Sequence, residues 1–270
     1  MPREEKNTAP GGTAGPPVLV EKADGIATIR LNRPGRRNTL STDMLLALKE
    51  AVDDCGSDAG VRAIVLCAEG PVFSSGHDMN QLVGAGPKAA REIFDLSTSI
   101  MLGLQRLPKP VIAQVSGLAS AAGCQLVASC DLVVASSEAR FQTPGVMIGL
   151  FCSTPMVPLS RAVPPKKAME MLLTGQPIGA EEAREAGLVN RVVSPGELEA
   201  KTRALATQII AYSAYALALG KEAFYKQLPL PLEAAYEVGK EAIVRNAMAP
   251  DGQEGMSAFL QKRPPKWTGE

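Results

Sequence analysis

The chain has 270 residues, and 28 Lys plus Arg balance 28 Asp plus Glu, so it carries no global basic field for nucleic acid; any phosphate must be met by local charge. No apolar run approaches the roughly 20 residues needed to cross a bilayer. The five cysteines, at 55, 67, 124, 130 and 152, form no CxxC pair, and all but Cys55 fall in apolar or small-residue segments, a reduced intracellular pattern rather than a disulfide scaffold or zinc site.

Residues 1–17, MPREEKNTAPGGTAGPP, contain no apolar signal core and read as a disordered tail. The adjacent Glu4 and Glu5 argue against a mitochondrial presequence, so the expected compartment is the cytoplasm. Val18–Glu21 and Ile26–Leu31 predict a hairpin across Asp24–Gly25. Ser41 is placed to cap a helix with Met44, Leu45, Leu48 and Val52 on one face. Ala63–Cys67 is a buried-strand run, and Glu69, Gly70 and Pro71 mark a turn after it. Ile93, Leu96, Ile100, Leu104 and Leu107 trace an amphipathic helix, and Val111–Val115 a second buried strand. Strand and helix alternate to about Val193, and the remainder is nearly all helical, with Phe224, Tyr225 and Tyr236 at spacings that suit a core. The pattern is α/β followed by α: a tail over 1–17, an α/β core over 18–195 and a helical subdomain over 196–270.

Two segments of one kind stand out. After the strand at Val111–Val115, Ser116–Gly123 is almost all Ser, Gly and Ala, and Ala121–Ser129 then suits a tightly packed helix. After the strand at Ala63–Cys67, Phe73 leads into Ser74, Ser75 and Gly76, then His77 and Asp78. Small side chains let another molecule approach the main chain, and a helix start leaves its first four N–H groups unpaired. Two such loops after parallel strands lie at one sheet edge, where open α/β folds bind ligands. Two convergent N–H donors stabilise an enolate or a tetrahedral oxyanion, and one donor is worth roughly 3–4 kcal/mol in a dry site. An isolated Ala/Gly-rich helix, by contrast, is read simply as close packing; the pair decides for a site.

LNRPGRRNTLS, FSSGHDM, the run from Pro110 to Asp131, FQTPGVMIGLF, MLLTGQPIGAEEAREAGLVNRVV and EGMSAFLQKR together resemble the crotonase superfamily, the enoyl-CoA hydratase/isomerase group, from about Val18 to the C-terminus. AGCQLVASCD, GLFCSTP, FYKQLP and DGQEGMSAFLQKR look closest to its subgroup called enoyl-CoA hydratase domain-containing protein three. The resemblance implies a spiral of ββα turns with a helical C-terminal region, assembled as a homotrimer or a dimer of trimers. It implies an acyl-CoA or enoyl-CoA thioester as substrate, with coenzyme A as part of it and no separate cofactor; composition already leads us to expect no nucleic-acid or membrane partner. It further implies that the backbone N–H groups of His77 and Ala122 grip the thioester carbonyl. Ser75, Asp78, Met79, Leu118, Ala121, Pro144 and Phe151 are implied substrate contacts. Arg36 and Arg37 flank a turn that approaches the nucleotide end of CoA, and a guanidinium suits its phosphates. Phe259, Lys262 and Arg263 are candidates for the adenine end.

The sequence also departs from that family. Hydratases of the group use two glutamates to place water and move its proton; the two positions here are Gln125 and Gly145. A glutamine amide holds water but is no carboxylate base, and glycine supplies no side chain. His77, the only histidine, has either a chemical side chain or one that merely packs. Cys152 reads as a small buried hydrophobe, and Asp78 and Asp131 as residues that cap turns or orient loops. The sequence thus predicts an acyl-CoA enzyme of hydratase/isomerase type, with a lyase (a decarboxylase or thioesterase) or a non-catalytic acyl-CoA-binding protein as alternatives.

Overall fold

The computed structural model describes residues 15–270, so the tail expected over 1–17 lies outside it up to residue 14. The chain opens on β1 (Val18–Ala23) and β2 (Ile26–Leu31), an antiparallel hairpin. Its turn puts Asp24 and Gly25 at φ 52° and 77°, the positive values that make an Asp-Gly pair a hairpin signal. Next come α1 (Thr42–Ser57), β3 (Ala63–Ala68), β4 (Val72–Ser74), α2 (Met79–Leu82) and α3 (Pro87–Arg106). The pattern repeats with β5 (Val111–Val115), β6 (Leu118–Ser120) and α4 (Ala122–Ala128). It repeats again with β7 (Leu132–Ser136), β8 (Arg140–Gln142), a 3₁₀ turn over Pro144–Ile148, α5 (Met156–Ala162) and α6 (Pro165–Thr174). After β9 (Ile178–Gly179), α7 (Ala180–Glu185) and β10 (Arg191–Val193), the chain is helical: α8 (Leu198–Ile210), α9 (Ala214–Gln227), α10 (Leu232–Met248) and α11 (Pro250–Gln261).

Each repeat contributes one strand to a large sheet, a short strand to a small one, and then a helix. The large sheet runs β1-β2-β3-β5-β7-β10, parallel from β2 onward, and the small one β4-β6-β8-β9. This is the spiral of ββα turns that the resemblance implies, with its helical C-terminal region.

Alternation along the strands sets two cores. Ile64 and Leu66 of β3, with Val111, Ala113 and Val115 of β5, face the small sheet and helices α1, α3 and α4. Ala63 and Val65 of β3 and Ile112 of β5 face the other way, onto Leu198, Leu205 and Ala206 of α8. Strands buried on both faces read as continuous apolar runs, which is why Ala63–Cys67 and Val111–Val115 are so plain in the sequence. Burying a Leu or Ile side chain stabilises the fold by about 1.5–3 kcal/mol. Met44, Leu45, Leu48 and Val52 of α1 are buried as their spacing predicts, and so is Cys55, one turn on.

Three local expectations change. Ser41 stands at the N-cap of α1, but its hydroxyl donates to the Asp43 carboxylate and caps no helix N–H. An ionised acceptor two residues away outcompetes the backbone as partner. Phe224 and Tyr236 are 54% and 66% exposed, because α9 and α10 each dock by one stripe only. Tyr225 is half-buried, and its hydroxyl donates to Asp131 Oδ1 at 2.8 Å.

Candidate active site

The two small-residue loops follow β4 and β6, parallel neighbours in the small sheet, and they touch. Gly76 has φ +92°, and a Cβ there would lie 2.9 Å from Ala121 Cβ and 3.2 Å from the Ala122 nitrogen. A Cβ on Gly123 would lie 2.5 Å from the Ser74 carbonyl oxygen. Only glycine permits either approach. Ala121 itself sits at φ 50°, held by its N–H to the Gln142 carbonyl at 3.0 Å.

The N–H groups around these loops are mostly spent. Ser75 N–H donates to the Arg37 carbonyl, Gly76 N–H to Ser74 Oγ, and Gln125 N–H to the Ala121 carbonyl. Among the described residues, the Asp78 N–H has no acceptor, and neither have the N–H groups of His77 and Ala122. Both residues line one cavity of about 530 Å³.

That cavity also brings together Met79, Ala121, Gly145 and Phe151 from the expected set. The others lie elsewhere. Leu118 pairs with Val72 and Arg140 inside the small sheet, and Pro144 starts the 3₁₀ turn. Ser75 Oγ is 3.0 Å from Thr39 Oγ1, and Asp78 caps α2 by accepting from Asn80 N–H at 2.9 Å. Arg36 and Arg37 are exposed on a loop anchored by buried Asn38, whose amide donates to the Glu69 and Val72 carbonyls at 2.9 and 2.7 Å. Gln125 is 4% exposed and faces a second cavity, of about 380 Å³, that meets the first at Thr154. Its Oε1 is buried without a partner. At the C-terminus, Arg263 is committed to both oxygens of Glu254, at 2.6 and 2.7 Å, and Phe259 is 82% exposed.

Sequence reasoning misses most of the remaining lining, and four of those residues bear on its chemistry. Arg91, Phe94 and Asp95 come from α3, whose inward stripe is legible but whose other face is not. The fourth is Cys152, expected to pack as a hydrophobe. It is buried, but in the cavity wall: Gly145 N–H donates to its Sγ at 3.3 Å. A Cβ on Gly145 would lie 2.9 Å from that sulfur and 2.8 Å from the Leu150 carbonyl oxygen. Burial pushes the Cys152 thiol up, and the Gly145 N–H partly offsets this.

His77 stacks edge-on against Phe94 with ring centroids 5.2 Å apart. Burial holds its imidazole below the ordinary histidine range, countered in part by the Leu40 carbonyl. Both ring nitrogens are buried, and neither makes a hydrogen bond of good geometry, the contact with the Leu40 carbonyl included. The imidazole is therefore pushed toward its neutral form, in which one ring nitrogen donates and the other accepts.

The profile of the enoyl-CoA hydratase/isomerase family matches residues 21–270. The mouse protein named enoyl-CoA hydratase domain-containing protein 3, mitochondrial, is 48% identical over 265 residues, 97% of this chain and 88% of its own length. The crystal structure of human enoyl-CoA hydratase domain-containing protein 3 has a TM-score of 0.91 at 49% identity, covering 93% of this chain and 100% of that one. Crotonyl-CoA hydratase of Syntrophomonas wolfei is 33% identical over 250 residues, 91% of this chain and 95% of its own length. The mouse protein's rat and human counterparts are likewise named mitochondrial, which overturns the cytoplasmic expectation. The acidic pair Glu4–Glu5 is a poor guide to compartment.

Proposed function

The chain belongs to the enoyl-CoA hydratase/isomerase family, and from that premise we propose that it polarises an acyl-CoA thioester between the backbone N–H groups of His77 and Ala122. The observation that carries this is that these two N–H groups, on loops packed together through Gly76 and Gly123, lack acceptors and border one cavity. Charge that develops on the thioester oxygen as an enolate forms is met by donors already in place, with no reorganisation cost. Arg36 and Arg37, exposed on the loop that supplies the acceptor for Ser75 N–H, are suited to the CoA phosphates. Coenzyme A enters as part of the substrate.

The proton-moving half is rebuilt. Gln125 offers an amide and Gly145 nothing, so water addition to an enoyl-CoA lacks both carboxylates. The exposed Leu232, Tyr236, Val244 and Met248 of α10 and Phe259 of α11 suit burial against further copies, in a homotrimer or a dimer of trimers. Calorimetry with butyryl-CoA, butyrate and CoA tests the site. Butyryl-CoA should bind at least tenfold more tightly than CoA, with butyrate undetectable; equal affinity for CoA and its thioester overturns the assignment.

A further inference from the structure

Gln125 ends in an amide oxygen that the fold leaves unpaired. The residue stands three positions beyond Ala122 on α4 and is 4% exposed. Its backbone is fully used: the N–H donates to the Ala121 carbonyl at 3.0 Å, and its carbonyl accepts Ser129 N–H at 3.0 Å and Ser129 Oγ at 2.8 Å. Oε1, by contrast, is buried with no hydrogen-bond partner among the described residues. Such an atom has given up water without replacing it, which is rare in a folded protein. Gln125 lines the second cavity, of about 380 Å³, with Met101 and Pro158 as apolar neighbours. Thr154 is shared with the cavity that the His77 and Ala122 N–H groups border. Arg161, the one charged residue in this lining among the described residues, is exposed, and its Nη1 donates to the Val157 carbonyl at 2.8 Å.

Resting on the acyl-CoA reading above, we propose that the second cavity receives the far end of the acyl chain and that Gln125 selects chains carrying a hydroxyl there, which donates to Oε1. The thioester oxygen stays with the N–H donors of the first cavity, so Cα and Cβ stay beside them. Only atoms farther along the chain reach past Thr154 into the second. Its methylenes lie along Met101 and Pro158, and the unmet acceptor then decides what ends the chain. A methyl group leaves Oε1 unpaired. A carboxylate brings a second acceptor and no proton to donate. A hydroxyl donates to Oε1 and still accepts, from the Thr154 hydroxyl or from water. A site built around a hydrogen bond to a substrate hydroxyl rejects the analogue that lacks it, because the site's own polar atom is then left without a partner. Gln125 acts here on the choice of substrate, apart from the proton transfer for which its amide is unsuited.

Calorimetry with the full chain tests this, using the ω-hydroxy derivatives of butyryl-, hexanoyl- and octanoyl-CoA, each against its unsubstituted parent, with adipyl-CoA as the carboxylate control. At least one ω-hydroxyacyl-CoA should bind about tenfold or more tightly than its parent. Gln125→Met, which keeps the length and removes the amide, should bring that ratio to about one. The ratio is read within each protein, so a variant that binds every thioester less well still answers, and the series on the unaltered chain needs no variant. Equal affinities throughout that series mean that water serves Oε1, and they overturn the proposal while the thioester site stands. A preference for adipyl-CoA overturns it too, by giving control of the chain end to Arg161, as does a hydroxyl preference that survives in Gln125→Met. If no thioester binds more tightly than CoA, the thioester site itself is wrong, and the proposal falls with it.

Discussion

Lys221 Nζ lies 2.6 Å from Asp131 Oδ2, joining α9 to the residue that precedes β7. The same ammonium donates to the Leu104 and Lys109 carbonyls at 2.8 and 2.9 Å, and the same carboxylate accepts Val111 N–H at 2.7 Å. Side-chain exposure is only 8% for Lys221 and 16% for Asp131. This fully bonded pair ties the helical end of the chain to the strand that leads into the second small-residue loop.

Lys221→Met should therefore be costly. It leaves the Asp131 carboxylate buried with Val111 and Tyr225 as its remaining partners, and removing one member of a buried pair typically costs about 3–5 kcal/mol. Urea unfolding of the variant measures the loss. A change below about 1 kcal/mol would mean that α9 docks by its apolar contacts alone.

Hydration of crotonyl-CoA should be slow. General acid–base groups contribute about 10²–10⁴-fold each, and Gln125 and Gly145 supply none. A hydration rate equal to that of a two-glutamate hydratase would show that another base serves the cavity.

Restoring the glutamates should fail unless Cys152 is also changed. Gly145→Ala forces a Cβ against Cys152 Sγ and the Leu150 carbonyl, and overpacking of this kind costs about 1–3 kcal/mol. Cys152→Ala should recover part of that cost, leaving a coupling energy readable from a double-mutant cycle in urea. Gln125→Glu with Gly145→Glu should gain hydration only in the Cys152→Ala background.

Ala122→Val should weaken butyryl-CoA binding far more than it lowers Tm, because the branched side chain meets the cavity while the N–H remains. His77→Ala keeps its N–H too. Binding that persists with lost turnover assigns chemistry to the imidazole; binding and turnover both near normal assign it to packing.

Asp251 gives a pH dependence. Burial pushes its carboxyl up, but Ser213 Oγ at 2.6 Å, Thr268 N–H at 2.6 Å and Oγ1 at 2.9 Å, and Gly269 N–H at 3.0 Å together hold it below the usual range. A depressed folded-state pKa adds stability that is present above the unfolded value of about 3.9 and is lost as pH falls through the folded one. Asp251→Asn should thus cost about 1.5–3 kcal/mol at pH 7 and progressively less below pH 4. A cost that does not vary with pH would exclude the ionised carboxylate as its source.

The spiral was legible because its strands are buried on both faces and its loops are marked by runs of Ser, Gly and Ala. Ile64 and Leu66 announce a strand whichever face they serve. The small-residue segments at Ser74–His77 and Ser116–Gly123 were legible for the same reason in reverse, although β6 runs through the second: long side chains are missing where backbone must approach backbone. Cys152 was not legible. Its burial was, but the wall it occupies depends on how the chain returns after the 3₁₀ turn at Pro144–Ile148, which has no periodic signature. Arg91, Phe94 and Asp95 were hidden because hydrophobic spacing identifies only the inward stripe of α3. The exposure of Phe224 and Tyr236 likewise depends on which stripe of a helix docks, and aromatic character alone cannot say.

The glycine contacts at 76 and 123 divide the site into parts with different freedom to vary. The loops bearing the His77 and Ala122 N–H groups are wedged against each other at backbone distance, so neither can be enlarged without displacing its neighbour. The rest of the lining, with Cys152, Phe151 and the α3 residues, is made of side chains on a turn and a helix surface, outside that wedge. Side chains on that lining can therefore be exchanged one at a time without loosening the contact between the two loops. Gly145 and Cys152 show how tightly such positions are linked, since the sulfur already occupies the space that a side chain at 145 would need.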